Sequence, residues 1–505
     1  MEIFHWDDHL PPTQPQPSFT FTKEPHYSQQ CRSSSSSADT QLLLKLGKSA
    51  KNPQPVKMSL SDHPKAYGTA AVVFAFTTGI LVTLGFKDFY PDLERRFQRK
   101  RRANAANVPG GARRTSLFWG DPVELEDRES MPSSPIPYDV ARSGFADGIE
   151  ATIGNTPLIK IQSLSEATGR TIMAKAEFLN GAGNSPKDRV ALNMIRVAES
   201  KGLLTPHKGD TIYEGTVGST GISLATLARA MGYHAHICMP SDMALEKSDL
   251  LLHLGATVER VTPAPITSPD HFVNLARRRA EEHAAKAKDG SKGFFANQFE
   301  SEANWKAHFN STGPEIWRQT DGQLAAFVAG AGTGGTVSGV AKYLKEEQKA
   351  SDIKVVLADP QGSGLYNKVR HGVMYSSTER EGTRRRQQVD TMVEGIGITR
   401  LTENFEAGRE LIDDAVRVTD EQACHMARWL VEHDGIFVGS SSSVNCVAAV
   451  ETAMRLPEGS RVVTILCDSG TRHLSKFWKH IREMGLEGEE ATNLFTELGI
   501  PDHSA

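Results

Sequence analysis

The residues of this chain that point most directly to covalent chemistry lie in the turn Asn184–Arg189. The turn follows the apolar run Thr171–Phe178 and precedes an amphipathic pattern over Val190–Ala198. At such a strand-to-helix junction, the positive end of the helix dipole lowers the pKa of a pocketed lysine. Because a neutral lysine attacks aldehydes, Lys187 is a candidate attachment point for a Schiff-base cofactor. The alternative is the solvated surface lysine that is common in turns.

A glycine-rich turn offers a place for a phosphate group. It follows the apolar run Ala325–Val328 and opens a helical pattern that reaches Leu344, a context in which backbone N–H groups cradle phosphates. No Walker lysine follows, which excludes a nucleotide P-loop. A dinucleotide fold stays open, because the glycines have G-x-G-x-x-G spacing and Asp359 ends the next strand. The candidate phosphate-binding residues are Gly332, Thr333, Gly334, Gly335 and Thr336.

Two more turns lead from apolar runs into helical patterns. Glu214–Gly221 places small and hydroxyl residues at a helix start, where exposed N–H groups can bind a carboxylate. Gly439–Asn445 contains four serines, and a serine placed against a pyridine nitrogen would keep that nitrogen unprotonated. An ordinary serine N-cap explains the second turn equally well. A polar turn, Cys467–His473, ends the last apolar run.

Short apolar runs and helical patterns alternate from Ile149 onward and must position these turns. Examples of the runs are Ala235–Met239, Thr257–Val261, Lys354–Ala358 and Arg461–Cys467. This rhythm is typical of parallel sheets with crossover helices, in which ligands bind at the carboxyl ends of the strands. The sequence therefore predicts an α/β body with its turns gathered around one site.

The segment before the body has a different composition. Residues 1–65 are rich in Ser, Pro, Gln and Thr and predict a disordered lead, within which Met58 is an alternative start. Residues 66–86 carry no charge, and 21 residues at 1.5 Å each span about 30 Å. They predict one transmembrane helix, with a buried helix or signal peptide as the alternative. A basic stretch, Arg95–Arg114, follows and keeps the body cytosolic by the positive-inside tendency.

Charge and cysteine content argue against a nucleic-acid-binding protein and against a metal site. The formal net charge is -4, and since Arg95–Arg114 is basic, the body must be acidic, which argues against a nucleic-acid surface. The five cysteines show no zinc-type spacing and no CxxC pair, so we predict reduced thiols and no metal site.

Together these motifs resemble the cysteine synthase/cystathionine β-synthase family of pyridoxal-phosphate enzymes. The resemblance runs from about Gly148 to Lys479 and includes Gly154–Leu158, the Lys187 turn, the Gly332–Thr336 loop and Glu394–Gly397. It implies a tryptophan-synthase-β-like fold, with two doubly wound parallel-sheet domains and pyridoxal 5'-phosphate between them. Within the family the chain is most similar to a fungal, membrane-anchored, cysteine-synthase-like branch of the mitochondrial outer membrane; the endoplasmic reticulum is the alternative.

The resemblance also implies roles for individual residues. Lys187 would hold the cofactor and then remove the α-proton, and the Gly332–Thr336 loop would bind the cofactor phosphate. Ser440 would face the pyridine nitrogen, with a register open by one residue, and Ser219 would stand near the ring hydroxyl in place of the usual Asn. The substrate-binding residues would be Thr216, Gly218, Thr220 and Gly395.

The implied reaction is β-replacement on a serine derivative such as O-acetylserine, through an aminoacrylate, with sulfide as the nucleophile. Cysteine desulfhydrase-type elimination is an alternative, and a catalytically weak cofactor-binding sensor is another, supported by Ser219. Pro186 before the lysine also departs from the family and stiffens the turn. A homodimer is expected from the resemblance.

The predicted domains follow from these boundaries. Residues 87–147 are a basic juxtamembrane linker, and residues 148–485 are the catalytic body. Within the body, a smaller domain covers roughly 182–300, and a larger one covers roughly 301–485 plus 148–181. Residues 486–505 are predicted to be a C-terminal tail.

Overall fold

The apolar runs of the body form parallel strands, seen here in a computed structural model. It describes residues 146–243, 245–374, 391–486 and 492–501. Within these ranges the strands are β1 (Leu158–Lys160), β2 (Thr171–Ala176), β3 (Thr211–Gly215), β4 (His234–Pro240), β5 (Thr257–Val261), β6 (Gly293–Phe295), β7 (Ala326–Gly330), β8 (Lys354–Pro360), β9 (Asp414–Val418) and β10 (Arg461–Leu466).

Helices lie between most of these strands. The α-helices of the described residues are α1 (Gln162–Thr168), α2 (Lys187–Ser200), α3 (Ser219–Ala230), α4 (Leu245–His253), α5 (Phe272–Lys286), α6 (Ala303–Ala307), α7 (Gly313–Gln319), α8 (Gly335–Lys342), α9 (Leu365–His371), α10 (Glu403–Glu406), α11 (Asp420–Asp434), α12 (Ser440–Met454), α13 (Phe477–Glu483) and α14 (Leu494–Leu498).

The larger sheet has six strands in the order β1-β2-β10-β7-β8-β9. Every neighbouring pair is parallel except the edge strand β1, which runs antiparallel to β2. Along β10, Val462 and Leu466 belong to one buried apolar cluster, whereas Val463 and Ile465 belong to another. Because successive strand residues point to opposite faces, both faces of this sheet are covered. The predicted α/β architecture with parallel sheets is therefore confirmed.

The smaller sheet has four strands, all parallel, in the order β5-β4-β3-β6. Ile212 of β3 and Ile237 of β4 share a buried cluster with Ile195 of α2 and with Leu224 and Leu227 of α3. The two helices that follow the Lys187 turn and the β3 turn thus pack on this sheet, which fixes where both turns lie.

The segment predicted as a C-terminal tail contributes to the core. Leu494, Phe495 and Leu498 of α14 are buried and belong to the cluster on one face of the larger sheet. Their spacing puts them on one helical face, while Asn493 caps the helix by accepting a hydrogen bond from the Thr496 N–H. Residues 494–498 are therefore part of the folded body.

The predicted lead (1–65), the predicted membrane helix (66–86) and nearly all of the predicted linker (87–147) lie outside the described residues. Among the helices that the structure does describe, none has both the length and the apolar character needed to cross a membrane.

Candidate active site

A cavity of about 1160 Å³ opens at the turns that follow β3, β7 and β10. Its position agrees with the rule that open α/β sheets bind ligands beyond the carboxyl ends of their strands. Loop 391–400 and the turn before α2 also line it. The cavity brings together these predicted site residues: Lys187, Thr216, Gly218, Ser219, Thr220, Gly332, Thr333, Gly334, Gly335, Thr336 and Gly395.

Lys187 is the first residue of α2, with Pro186 before it at φ -58. A proline ring adopts this φ without strain, so Pro186 is compatible with the helix start. Burial lowers the pKa of Lys187, against the opposing charges of Cys467, Asp468 and Glu177. Burial, rather than the helix dipole invoked from the sequence, is the main cause. A neutral amine facing a cavity is the form that attacks an aldehyde.

Buried ion pairs fix the start of α2. The Arg189 guanidinium lies 2.7 Å from Glu177 (Nε to Oε2) and 2.6 Å from Glu315 (Nη1 to Oε1). Lys175 Nζ lies 2.5 Å from Glu315 Oε2, and all four side chains are buried. Burial opposes ionisation of Glu177, but Arg189 holds the Glu177 pKa at about 2. The network ties α2 to the end of β2 and to α7, and so positions Lys187.

Asp188 holds the turn itself. Its Oδ1 accepts hydrogen bonds from the Gly183 N–H at 2.7 Å and from Ser223 Oγ of α3 at 2.5 Å. A Cβ at Gly183 would lie 2.6 Å from both Asp188 Oδ1 and Ser223 Oγ, so only glycine fits. The turn before Lys187 is therefore locked to the helix that carries the predicted carboxylate loop.

The loop Gly332–Thr336 enters α8, and its Gly334 has φ +86. No side chain caps this helix start, so its first N–H groups can bind an anion. A Cβ at Gly332 would lie 2.2 Å from the Gly395 carbonyl oxygen, and one at Gly335 would lie 1.9 Å from Asn304 Oδ1. Glycine is needed at both positions because these groups approach the backbone so closely.

The turn after β3 has the form expected of a carboxylate site. Helix α3 begins at Ser219 without a side-chain cap, and Thr216 Oγ1 accepts a hydrogen bond from the Gly218 N–H at 3.3 Å. Thr220 Oγ1 donates to Oε1 of Gln298 at 2.5 Å, and Gln298 also lines the cavity. Gln298 was not among the predicted site residues, although its place just beyond the strand end of β6 is a signal for one.

The serine turn requires a change of register. Ser441 lines the cavity, whereas Ser440 does not, and the Ser440 hydroxyl accepts a hydrogen bond from the Glu394 N–H at 3.0 Å. Asn445 of α12 also faces the cavity and accepts a hydrogen bond from the Gly330 N–H at 2.8 Å. Of the two registers that the sequence left open, the cavity lining favours Ser441, and the contact with a cofactor ring stays a prediction.

The turn after β10 supplies charged groups for which the sequence motifs predicted no role. His473 Nε2 lies 3.1 Å from Asp468 Oδ1, and Ser219 Oγ lies 3.5 Å from Asp468 Oδ2. Burial opposes ionisation of Asp468, but His473, Arg472 and Lys187 keep its pKa below the ordinary value. Asp468 is therefore an anion close to Lys187 and to the start of α3.

Three potential metal ligands, His236, Cys238 and Glu259, lie within 4.8 Å of one another on β4 and β5. Glu259 is already paired, since Arg279 donates to both of its oxygens at 2.7 and 3.0 Å and His236 Nε2 lies 3.1 Å away. These hydrogen bonds account for the cluster, which is outside the cavity lining.

Comparison with known proteins gives consistent matches. Residues 149–468 match the family described as pyridoxal-phosphate dependent enzyme. The chain is 71% identical over 460 residues to cysteine synthase 2 of Neurospora crassa, covering 88% of this chain and 99% of that protein. It is 56% identical over 338 residues to the Saccharomyces cerevisiae protein named "Putative mitochondrial cysteine synthase", covering 67% of this chain and 85% of that protein.

Among solved structures, the crystal structure of O-ureido-L-serine synthase is similar to this chain. It aligns with a TM-score of 0.57 and 29% sequence identity, covering 69% of this chain and 98% of that one.

Proposed function

Because the chain belongs to the family of pyridoxal-phosphate-dependent enzymes, we propose that it is a cysteine synthase. It replaces the β-substituent of O-acetylserine, or of a similar serine derivative, with sulfide and forms L-cysteine. The observation that carries the proposal is one cavity lined by a lysine of lowered pKa, a phosphate-type loop and a carboxylate-type loop. The names of the relatives, cysteine synthase 2 among them, support this choice of reaction.

The residues around the cavity fit the cofactor. Lys187 offers an amine for its aldehyde, and the uncapped start of α8 offers N–H groups for its phosphate. Ser441 and Asn445, near the start of α12, line the cavity. Their polar side chains suit contact with the pyridine ring of the cofactor. When bound, pyridoxal phosphate delocalises the negative charge that develops at the substrate Cα.

Lys187 has two tasks in this account. Its amine would hold the cofactor in the resting enzyme, and it would then take the proton from the substrate Cα and later return it. The Cβ–O bond breaks as acetate leaves with its electron pair, and a C–S bond to Cβ forms when sulfide adds. The anionic Asp468 near Lys187 favours the protonated amine once the Cα proton has been taken.

The start of α3 orients the amino acid. Its free N–H groups, that of Thr220 among them, and the hydroxyl of Thr216 would bind the substrate carboxylate. Ser219 would take the position beside the cofactor ring hydroxyl. Holding the carboxylate in one place keeps the Cα proton within reach of Lys187, which is the positional part of catalysis.

Product analysis tests the proposal. Purified enzyme is incubated with O-acetylserine plus sulfide, and separately with cysteine alone. We expect L-cysteine in the first reaction at a rate well above sulfide release in the second. Faster sulfide release than cysteine formation would instead identify a desulfhydrase. If a protein that carries the cofactor formed neither L-cysteine nor sulfide, the cofactor-binding sensor would be the remaining function.

We propose further that residues 66–86 anchor the enzyme in the mitochondrial outer membrane with its catalytic body in the cytosol. Support for a membrane helix comes from the sequence, with 21 uncharged residues followed by a basic flank. Support for the mitochondrion comes from the name of the yeast relative. The segment lies outside the described residues. The family resemblance also supports a homodimer.

Protease protection of intact organelles tests the anchor. Added protease should degrade the body on intact mitochondria, and deletion of residues 66–86 should release the enzyme from the membrane fraction. Retention of the deletion variant on membranes would contradict the anchor, and co-fractionation with the endoplasmic reticulum would assign the other membrane.

A further inference from the structure

Glu214 joins two segments that border the cavity, although it is not itself part of the cavity lining. It is fully buried near the end of β3. Its Oε1 accepts a hydrogen bond from the Gly215 N–H at 3.0 Å, and its Oε2 accepts one from the Gln298 N–H at 3.1 Å. One carboxyl group therefore fixes the backbone after β3 to the backbone after β6.

The same carboxyl group orients the Gln298 side chain. Nε2 of Gln298 donates to the Gly215 carbonyl oxygen at 3.0 Å and lies 3.4 Å from Glu214 Oε1. With Nε2 held there, Oε1 faces Thr220 and accepts the hydrogen bond from its hydroxyl at 2.5 Å. A chain of hydrogen bonds thus runs from Glu214 through Gln298 to the second residue of α3.

The surroundings of Glu214 make this carboxyl group sensitive to its hydrogen bonds. Burial raises the pKa of Glu214 to about 8, and the N–H donors of Gln298 and Gly215 oppose that rise. The titratable neighbour on β4 is Cys238, whose own pKa is raised by burial first and by the charge of Glu214 to a smaller extent. Hydrogen bonds to backbone N–H groups stabilise the ionised carboxylate.

We propose that Glu214 is a positioning residue for the substrate carboxylate, acting through Gln298 to hold the start of α3 in its binding geometry. The inference rests on the proposed function, because it takes an amino acid as the ligand of this cavity. It predicts that a change at Glu214 weakens binding of ligands that carry a carboxylate more than binding of ligands that lack one.

Glu214→Gln is the direct variant. The amide replaces one acceptor oxygen with an NH₂ group. This group faces a backbone N–H donor and cannot accept a hydrogen bond from it. We expect the affinity for a carboxylate ligand to fall about 10-fold, the effect of losing roughly one hydrogen bond in the relay.

Asp210→Asn is a matched control. Asp210 is a buried carboxylate just before the other end of β3, and it likewise joins two segments by accepting the Thr205 N–H and the Lys292 N–H, both at 2.8 Å. It is absent from the cavity lining. Its replacement should affect folding in a similar way without changing ligand preference.

The experiment measures equilibrium binding of L-alanine and L-alaninamide to the holoenzyme by the change in cofactor absorbance. Alanine has no leaving group, so no turnover occurs. We expect the preference of the wild type for alanine over its amide to fall about 10-fold in Glu214→Gln and to stay within about 2-fold in Asp210→Asn. An unchanged preference in Glu214→Gln, or an equal loss in both variants, would overturn the inference.

Hydrogen exchange on the wild-type holoenzyme provides a measurement that needs no variant. Alanine should slow amide exchange in both 215–221 and 297–299, whereas alaninamide should not. Protection confined to one of these segments would contradict the relay. A wild type with no spectral response to alanine would overturn the proposed function, and this inference with it.

Discussion

The two sides of the cavity are held by different kinds of interaction. Beneath Lys187, the buried charges of Arg189, Glu177 and Glu315 form ion pairs between 2.6 and 2.7 Å. Beside the carboxylate loop, Glu214 and Gln298 are held by hydrogen bonds to backbone and amide groups at 3.0 and 3.1 Å. The first arrangement fixes a side chain that we propose to hold the cofactor, and the second fixes a loop that we propose to bind each substrate molecule.

The difference has consequences for rigidity. Separating a buried ion pair leaves an uncompensated charge, so the Lys187 side resists any rearrangement. A hydrogen bond to a backbone or amide group contributes less than a buried ion pair and can be exchanged for water, so the substrate side can rearrange at lower cost. We therefore expect stability to depend on the lysine side and ligand preference to depend on the loop side.

Removal of Arg189 should give the largest loss of stability. Arg189→Met leaves Glu177 and Glu315 buried without their main partner, and we expect the free energy of unfolding to fall by about 3–5 kcal/mol. Denaturant unfolding of the holoenzyme measures it. Arg279→Met is the control, because its partner Glu259 is partly exposed and the expected loss is about 1 kcal/mol or less. Equal losses in the two variants would contradict the contrast.

Acid should lower the stability of the protein mainly through the ion pairs beneath Lys187. The folded-state pKa of Glu177 is about 2, below its ordinary 4.5, so its contribution is present above pH 4.5 and is lost as pH falls toward 2. The shift corresponds to on the order of 3 kcal/mol. Unfolding free energies between pH 5 and pH 2 should therefore fall more steeply in the wild type than in Glu177→Gln. Parallel curves would show that Glu177 does not carry the effect.

Stability should respond less to a change on the loop side. Glu214→Gln leaves one buried backbone N–H without an acceptor, and we expect a loss of about 1–3 kcal/mol in denaturant unfolding. A loss larger than that of Arg189→Met would reverse the comparison.

Replacing a serine at the start of α12 should have the smallest effect, and it tests whether Ser440 or Ser441 faces the cofactor ring. Ser441→Ala removes one hydroxyl from the cavity wall, which should lower kcat by a few-fold to about 10-fold, equivalent to about 0.5–1.5 kcal/mol. Ser440→Ala removes only the acceptor of the Glu394 N–H and serves as the matched control. If the Ser440 variant lost more activity than the Ser441 variant, the sequence-based assignment would stand.

Much of the fold and site was predictable because it depends on local patterns. The apolar run at 354–358 coincides with most of β8, since buried parallel strands need continuous apolar residues. The run at 257–261 coincides with β5, a partly exposed edge strand. The glycine-rich loop was recognisable because its glycines are demanded by close backbone contacts. Lys187 was recognisable from its place between a strand and a helix.

What escaped prediction depends on contacts between distant segments. Gln298 meets Thr220 across 78 residues of sequence, and Glu315 meets Arg189 across 126, so no spacing rule could pair them. The four serines differ only in helical phase, which is set by how α12 packs, so Ser440 and Ser441 were indistinguishable. The burial of α14 likewise depends on a surface formed by the rest of the body.

The most direct test of the central claim is the visible spectrum of the wild type and of Lys187→Ala during addition of O-acetylserine and then sulfide. We predict that the wild-type cofactor band changes with O-acetylserine and returns with sulfide as cysteine forms. Lys187→Ala should show no such cycle and should lose about 10²–10⁴-fold in turnover. Cysteine formation by Lys187→Ala at the wild-type rate would contradict the account.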